Sequence, residues 1–451
     1  MLIKLKLENY KSFDSETEIS FVSSAKIRSH PMHKKKIKQT SILKYGVVYG
    51  ANASGKSNLV DAFAFIKNSV QSGIPVAAGN DFCRNRKENR EKPSSFEIQF
   101  TVGKTFFAYG FSVILSQRKV TEEWLYELLQ NGEARKLFDW EQESLPSLGE
   151  GIALSNEEQL RFSVYSQDFT SQKSGLFLTE MNHGKIYDIH SKLQFFSEAY
   201  RWIVRNIIVL DPNTSISNFE QYYDEKSLEA INQLIQTFDT GISHVSVKKI
   251  SMEDLSRMIP EPILHQLIDD LRAQMEASSV PRIQMSWRTT NSIVNIRIRQ
   301  NGEPEITTLS LKHGSSIFDF DFKDESDGTQ RIFDLMDMLL TKREDIIYVV
   351  DELERSLHPK LTEHFLRLFM DAHEGQSVQL LFTTHEDSIM DQDLFRRDEI
   401  WFVERDSEND STIYSLDRFK ERYDTKLSKA YLDGRYGAIP VFKKFSFKQE
   451  D

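Results

Sequence analysis

The chain of 451 residues is 39% hydrophobic and 28% charged, with a formal net charge of −11, which excludes a uniformly basic nucleic-acid coat. Its length calls for two or three packed lobes, and no apolar run approaches the ~20 residues needed to cross a bilayer. A single cysteine, Cys83, rules out an internal disulfide and a thiolate metal site, and points to a reducing cytoplasm.

The opening residues, MLIKLKLENYKSF, alternate apolar and polar side chains and read as a strand. A basic run follows, with Lys26, Arg28, Lys34, Lys35, Lys36 and Lys38 around His30 and His33. Two readings stand: a solvated loop, or a contact to a phosphate backbone such as DNA or to a partner. His30 and His33 have no carboxylate or thiol near them in sequence, so they are not read as metal ligands.

Residues Ile42–Tyr49 read as a buried strand, and Leu59, Val60, Phe63, Ile66 and Val70 mark a helix. Between them lies Gly50-Ala51-Asn52-Ala53-Ser54-Gly55-Lys56-Ser57, a complete G-x-x-x-x-G-K-S. Strand, loop and helix are the setting a phosphate-binding loop requires. Glycines let backbone N–H groups turn inward, and the helix N-terminus adds positive potential. Gly50, Asn52, Ala53, Ser54, Gly55, Lys56, Ser57 and Asn58 are therefore the candidate ATP-binding residues. Lys56 would neutralise β/γ-phosphate oxygens, and Ser57 would ligate Mg²⁺. A mere helix cap would need neither Lys56 nor the second glycine.

Phe96–Val102, Phe106–Ile114 and Val120–Leu128 read as antiparallel strands, with turn candidates at Gly103 and Gly110. Residues 185–275 read as mostly helical, over Gln194–Ile208 and Ser227–Phe238, with Pro260 and Pro262 interrupting. No sustained heptad pattern appears, so no long coiled coil is expected. Alternation returns over Ile283–Gln300 and Glu305–Phe322, and makes Ile317–Phe322, despite its D-x-D, a half-buried strand.

From Gly328 onward, amphipathic helices alternate with wholly apolar runs, the pattern of a parallel sheet covered on both faces. The helix opening at Ser326-Asp327-Gly328-Thr329-Gln330 offers a hydroxyl, a glycine and unpaired N–H groups. One chain has no use for two phosphate-binding helix starts so far apart. In a head-to-tail homodimer, Ser326, Gly328 and Gln330 of one copy would complete the ATP site of the other. By itself the same segment reads as a polar helix cap.

Ile346–Val350 is a buried strand ending in Asp351 and Glu352. Asp351 can hold Mg²⁺, and Glu352 is the candidate catalytic base for an attacking water. A second buried strand, Val378–Phe382, ends in Thr383-Thr384-His385, and His385 would face the γ-phosphate. A hairpin, Ile400–Val403 with Thr412–Leu416, precedes a basic-aromatic tail.

Phosphate loop, helical insertion, S-x-G-x-Q helix start, Asp-Glu strand and downstream histidine occur in the order found in ABC-type ATPases. The segment Leu7-Glu8-Asn9-Tyr10-Lys11-Ser12-Phe13 resembles the first strand of the SMC/RecF branch. Three stretches, Asp351–Pro359, Glu325–Arg331 and Gly434-Arg435-Tyr436-Gly437-Ala438-Ile439-Pro440, are similar to bacterial abortive-infection and anti-phage ATPases. That group includes the OLD nucleases, the AbiL/Rlo-type ATPases and the PARIS ATPase subunit.

The resemblance implies an α/β fold: an ABC-type ATPase head with a mixed sheet, an antiparallel β-subdomain and a helical lobe. It divides the chain into an N-terminal lobe at 1–185, a helical insertion at 186–282 and a C-terminal lobe at 283–451. It implies ATP and Mg²⁺ as cofactors, slow hydrolysis, and a homodimer or larger assembly through shared ATP. It also implies an anti-phage role with a separately encoded effector such as a nuclease, and no membrane partner. The alternative is a RecF/SMC-like DNA-repair ATPase contacting DNA through Lys26–Lys38. The signature departs from S-G-G-Q, and the glutamine that follows the antiparallel strands in such ATPases is either Gln167 or Gln172.

Overall fold

The computed structural model describes residues 1–451 except 170–171, 213–221, 224, 258, 279, 289–291, 300–301, 421–425 and 441–451. The chain divides into two compact units. Met1–Pro212, Arg343–Leu353 and His373–Asp451 form the first, and Asn213–Lys342 with Glu354–Ala372 the second.

The first unit is built on two sheets. One is six-stranded, in the order Ile207–Leu210, Ile347–Val350, Gln379–Thr383, Tyr45–Tyr49, Ile400–Arg405, Ser411–Ser415. Its strands run parallel except the last, which pairs antiparallel with Ile400–Arg405. Its central strands are wholly buried and mostly apolar, as a sheet covered on both faces demands. The other sheet is seven-stranded and antiparallel, running Ser147–Leu148, Ala134–Glu141, Lys119–Leu128, Thr105–Ile114, Ser94–Val102, Leu2–Glu8, Thr17–Ser20.

Helix Lys56–Ser72 shares one apolar core with both sheets, burying Leu59, Val60, Phe63, Ile66 and Val70. The Phe65 ring packs 4.8 Å from Phe96 and 5.4 Å from Tyr10, centre to centre, so the helix that starts at the phosphate loop is clamped by the antiparallel sheet. Deeper in that sheet, Glu123 is fully buried and accepts hydrogen bonds from Phe177 N–H, Leu178 N–H and the Tyr109 hydroxyl. Burial pushes its carboxyl up to about 7, against those three donors, which favour the ionised form.

The second unit carries a four-stranded antiparallel sheet ordered Ile242–Lys249, Pro304–His313, Ile293–Arg299, Arg282–Arg288. Helix Glu261–Ser278 buries Leu264, Ile268 and Leu271 in one cluster with Val294, Ile296 and Ile298 of the sheet. Pro262 stands in that helix's first turn, where a missing N–H costs nothing, so the prolines open this helix. At 18 residues it is the longest helix among the described residues, and no long coiled coil occurs among them. The same unit holds helices Asp327–Leu340 and Pro359–Ala372.

Several expectations are corrected. The single strand expected over Ile42–Tyr49 is two: Thr40–Leu43 closes a hairpin with Lys34–Ile37, and only Tyr45–Tyr49 enters the parallel sheet. Gly110 is no turn. It lies mid-strand opposite Trp124, whose indole would come within 2.3 Å of a Cβ there. The helix expected to reach Ile208 ends at Asn206, because Ile207–Leu210 pairs in parallel with Ile347–Val350.

That strand places part of the expected helical insertion, 186–282, in the first unit, and strands Ile242–Lys249 and Arg282–Arg288 join the second unit's sheet. Ile317–Phe322 forms no strand beyond a single bridge, Leu311 to Phe320, and leaves Ile317 92% exposed. Its alternation reflects no buried face. No helix among the described residues is long and apolar enough to cross a membrane.

Candidate functional site

The Gly50–Ser57 loop leaves the C-terminal end of the buried Tyr45–Tyr49 strand and enters helix Lys56–Ser72. Its glycines are there for space and for backbone freedom. A Cβ on Gly50 would stand 2.5 Å from Val403 O, and Gly55 has φ +115° with a Cβ position 2.7 Å from both Ser12 Oγ and Ser411 Oγ. Ala53 also takes a positive φ of 62°. The Lys56 ammonium is buried and donates to Gly50 O at 2.9 Å and Ala51 O at 3.3 Å, which holds it across the loop's mouth.

The loop is tied in from both ends of the chain. Asn58 Nδ2 donates to Ser12 Oγ (2.8 Å), the Ser411 N–H donates to Ser12 O (2.8 Å), and the Ser411 hydroxyl donates to Ser54 O (2.6 Å). Arg405 Nη1 donates to Ala53 O at 3.3 Å.

Thr383 ends the parallel strand beside Tyr45–Tyr49, and Asp351 and Glu352 follow the strand beyond it. The buried Thr383 hydroxyl donates to Asp351 Oδ1 at 2.5 Å and accepts from the Glu352 N–H at 2.8 Å. Glu352 has φ +47°, a left-handed conformation that a glutamate rarely adopts and that gathers at functional sites. His385 lies exposed just beyond this strand, while Thr384 is fully buried.

These groups converge on one cleft of about 730 Å³, a volume usual for small-molecule sites. Asn52, Ala53, Ser54, Gly55, Lys56, Ser57 and Asn58 line it together with Glu352 and His385. Gly50 lines a neighbouring pocket, and Asp351 lies behind Glu352, held by Thr383. Two oxygen donors, the Ser57 hydroxyl and the Asp351 carboxylate, suit a hard cation such as Mg²⁺, and the glycine-lined loop suits close approach of phosphate. The fit to a magnesium–nucleotide is therefore good in donor chemistry and in space.

The cleft also gathers residues that motif reading had not assigned to it: Lys11, Ser12, Asn80, Asp81, Phe82, Arg84, Asn85 and Arg405. Lys11 and Ser12 belong to the Leu7–Phe13 segment that resembles the SMC/RecF first strand. Arg405 and the Asn80–Asn85 segment carried no sequence signal. Neither Gln167 nor Gln172 is among the described residues lining the cleft, and Gln172 Nε2 donates instead to Glu180.

Ser326, Gly328 and Gln330 lie in the second unit. Ser326 is the N-cap of helix Asp327–Leu340, accepting from the Thr329 N–H at 3.1 Å. Gly328 packs so that a Cβ would come within 2.6 Å of Ser356 O, and Gln330 Nε2 donates to Glu325 O. The cap reading of this segment thus holds locally.

The basic run is also ordered. His33 is not without a carboxylate: its Nδ1 lies 3.0 Å from Glu399 Oε2. Burial lowers His33 to about 4 and pushes Glu399 well up, so the contact is a hydrogen bond between neutral groups and not an ion pair. Beside it the fully buried Arg396 donates to Asp398, Ser29 O and Ile27 O. This network pins the start of the basic hairpin and leaves Lys36 and Lys38 exposed. Among the described residues no group of three or more His, Cys, Asp and Glu side chains could hold a metal ion.

No curated protein matches this sequence. Three solved structures are similar over most of their length. An SMC head bound to the C-terminal winged-helix domain of ScpA shares 12% identity, with 92% of this chain and 97% of that chain covered and a TM-score of 0.38. An SMC head domain from Thermotoga maritima shares 14%, covering 92% and 98%, with a TM-score of 0.34. An Smc head domain with an extended coiled coil, bound to the C-terminal domain of ScpA derived from Pyrococcus furiosus, shares 13%, covering 96% and 98%, at 0.35. The family described as "AAA domain, putative AbiEii toxin, Type IV TA system" matches residues 47–391, a span that takes in the phosphate loop, the Asp351–Glu352 strand end and His385; the chain belongs to that family.

Proposed function

We propose that this protein binds ATP with Mg²⁺ in the Gly50–Ser57 cleft and hydrolyses it slowly, as a switch. The observation that carries the reading is the convergence of Lys56, Ser57, Glu352 and His385 on one cleft. Loop N–H groups and Lys56 would hold the β- and γ-phosphates. Ser57 and Asp351 would hold the metal, which supplies charge neutralisation at the phosphates. Glu352, set by the Thr383 hydroxyl, would orient and deprotonate the attacking water, and His385 would contact the γ-phosphate.

In this reading two copies close head to tail, and Ser326, Gly328 and Gln330 of one copy complete the ATP site of the other. The closed and open states would control a separately encoded effector in an anti-phage, abortive-infection setting. The family description, which names a putative AbiEii toxin, supports that setting. The test is Glu352→Gln. It should bind ATP, release little phosphate and accumulate as a dimer or larger assembly. A variant that stays monomeric at saturating ATP would sink the shared-site reading. Retained phosphate release in Lys56→Ala would sink the ATPase reading itself.

A second reading, direct DNA binding through Lys26–Lys38, is favoured by one observation. A buried network centred on Arg396 and Glu399 holds that basic segment in place, where an idle loop would need no such anchor.

A further inference from the structure

We propose that the Ile317–Phe318 tip of one copy seats in an apolar pocket beside the phosphate loop of a second copy. The inference rests on the head-to-tail reading above and adds to it a specific contact.

The tip is an exposed apolar pair, Ile317 at 92% and Phe318 at 80% of full accessibility. It is not a loose end. Phe320 exchanges backbone hydrogen bonds with Leu311, Ser310 Oγ donates to Asp319 at 2.9 Å, and Lys248 pairs with Asp321 at 2.7 Å. A few residues on, Glu325 pairs with His313 at 2.7 Å and leads directly into Ser326. The tip and the Ser326 helix start therefore spring from one end of the same four-stranded sheet. Two large apolar side chains held out in water this way mark a contact surface.

The pocket is in the first unit and measures about 840 Å³. Its floor is the phosphate loop, Gly50–Ser54, and its apolar wall is Val403, Tyr431, Leu432, Ala438, Ile439 and Pro440. Half of that wall, Ala438, Ile439 and Pro440, comes from the Gly434–Pro440 segment that the ATPase reading left without a role. Gly437 has φ +71° and no room for a Cβ, whose place is 2.7 Å from Tyr414 Oη. Tyr414 donates to Tyr436 O, and Tyr431 to Ala438 O, so the segment is pinned. At the rim, Leu432 is 62% exposed.

A second copy is the occupant because of position. Ala53, Ser54, His385 and Arg405 line both this pocket and the nucleotide cleft. The tip adjoins Ser326 through the His313 end of its sheet, so a contact of Ser326 with the γ-phosphate of a second copy sets the tip beside that copy's pocket.

Cysteine pairing tests this directly, since the chain's one native cysteine, Cys83, is buried. Phe318→Cys and Leu432→Cys, each in the Glu352→Gln background, are mixed with ATP under mild oxidation. A disulfide-linked dimer should form in the mixture, require ATP, and be absent when either protein is oxidised alone. Ile317→Asp with Phe318→Asp should weaken ATP-dependent self-association about a hundredfold, with ATP affinity of the single copy unchanged. If Glu352→Gln dimerises with ATP yet no mixed disulfide forms and the aspartates have no effect, the docking is wrong and the shared-site reading survives. Cross-linking of either variant with itself would also overturn it, as a tip-to-tip or pocket-to-pocket contact. If Glu352→Gln never dimerises, both fall together.

Discussion

The Thr383 hydroxyl donates to Asp351 Oδ1 across 2.5 Å, and neither residue is more than marginally exposed. Because the same oxygen accepts from the Glu352 N–H, one side chain sets both carboxylates that follow the neighbouring strand. We expect Thr383→Val, which keeps the shape and removes the hydroxyl, to cut phosphate release about a hundredfold, the usual effect of a misplaced catalytic group. Thr383→Ser should restore most of it. The fold should lose about 1–3 kcal/mol, because buried polar groups are left without a partner. Full turnover in Thr383→Val would reduce this residue to a strand-end filler.

Glu123 sets a pH dependence. Its folded carboxyl is raised from 4.5 to about 7, so the folded state holds a proton that the unfolded chain gives up earlier. The sign follows: the contribution is fully present below about 4.5 and is lost as pH rises through about 7, with a limit of about 3 kcal/mol. Thermal midpoints measured from pH 5 to 8 should fall over that window. His33 works the other way, since it is lowered from 6.5 to about 4 and costs stability as pH falls below 6.5. His33→Asn should therefore steepen the remaining decline with pH, and an unchanged profile would remove His33 from the account.

Gly110→Ala should destabilise the antiparallel sheet, because the added methyl meets Trp124 at 2.3 Å and Phe96 O at 2.7 Å. A cost of about 1–3 kcal/mol is expected for overpacking a tight site. Chemical denaturation of the variant measures it, and Gly110→Ala combined with Trp124→Leu should recover part of the loss.

The hairpin lysines separate the two functional readings. If DNA binds here, Lys34→Glu with Lys36→Glu should abolish DNA stimulation of ATPase activity, and the slope of log affinity against log salt should fall by about one per lost phosphate contact. Basal phosphate release should not change. DNA stimulation that persists in this variant would place any DNA contact elsewhere.

Much of the phosphate cleft was legible in the sequence, for a physical reason. Gly50, Gly55, Lys56 and Ser57 must follow one another closely to wrap one phosphate chain, so their spacing is local. The Asp351 strand was legible because a wholly apolar run ending in two carboxylates has few other uses. What stayed hidden depends on pairing between distant segments. Ile42 and Tyr45 are three residues apart but serve different sheets, and only the partner strands decide that. Arg405 and Ser411 reach the loop through a hairpin whose own sequence says nothing about phosphate. The alternation at Ile317–Phe322 misled because a protruding tip and a half-covered strand can share one pattern.

The Ser411 N–H donates to Ser12 O, and the two residues hold the phosphate loop between them, Ser411 through Ser54 O and Ser12 through Asn58. A ribosome must therefore deliver the chain as far as Ser411 before the nucleotide cradle can close. Partly synthesised chains would carry the loop but lack one of its walls, and contacts so distant in sequence form slowly. The nucleotide site would in this way stay incomplete until the Ser411 strand has been made.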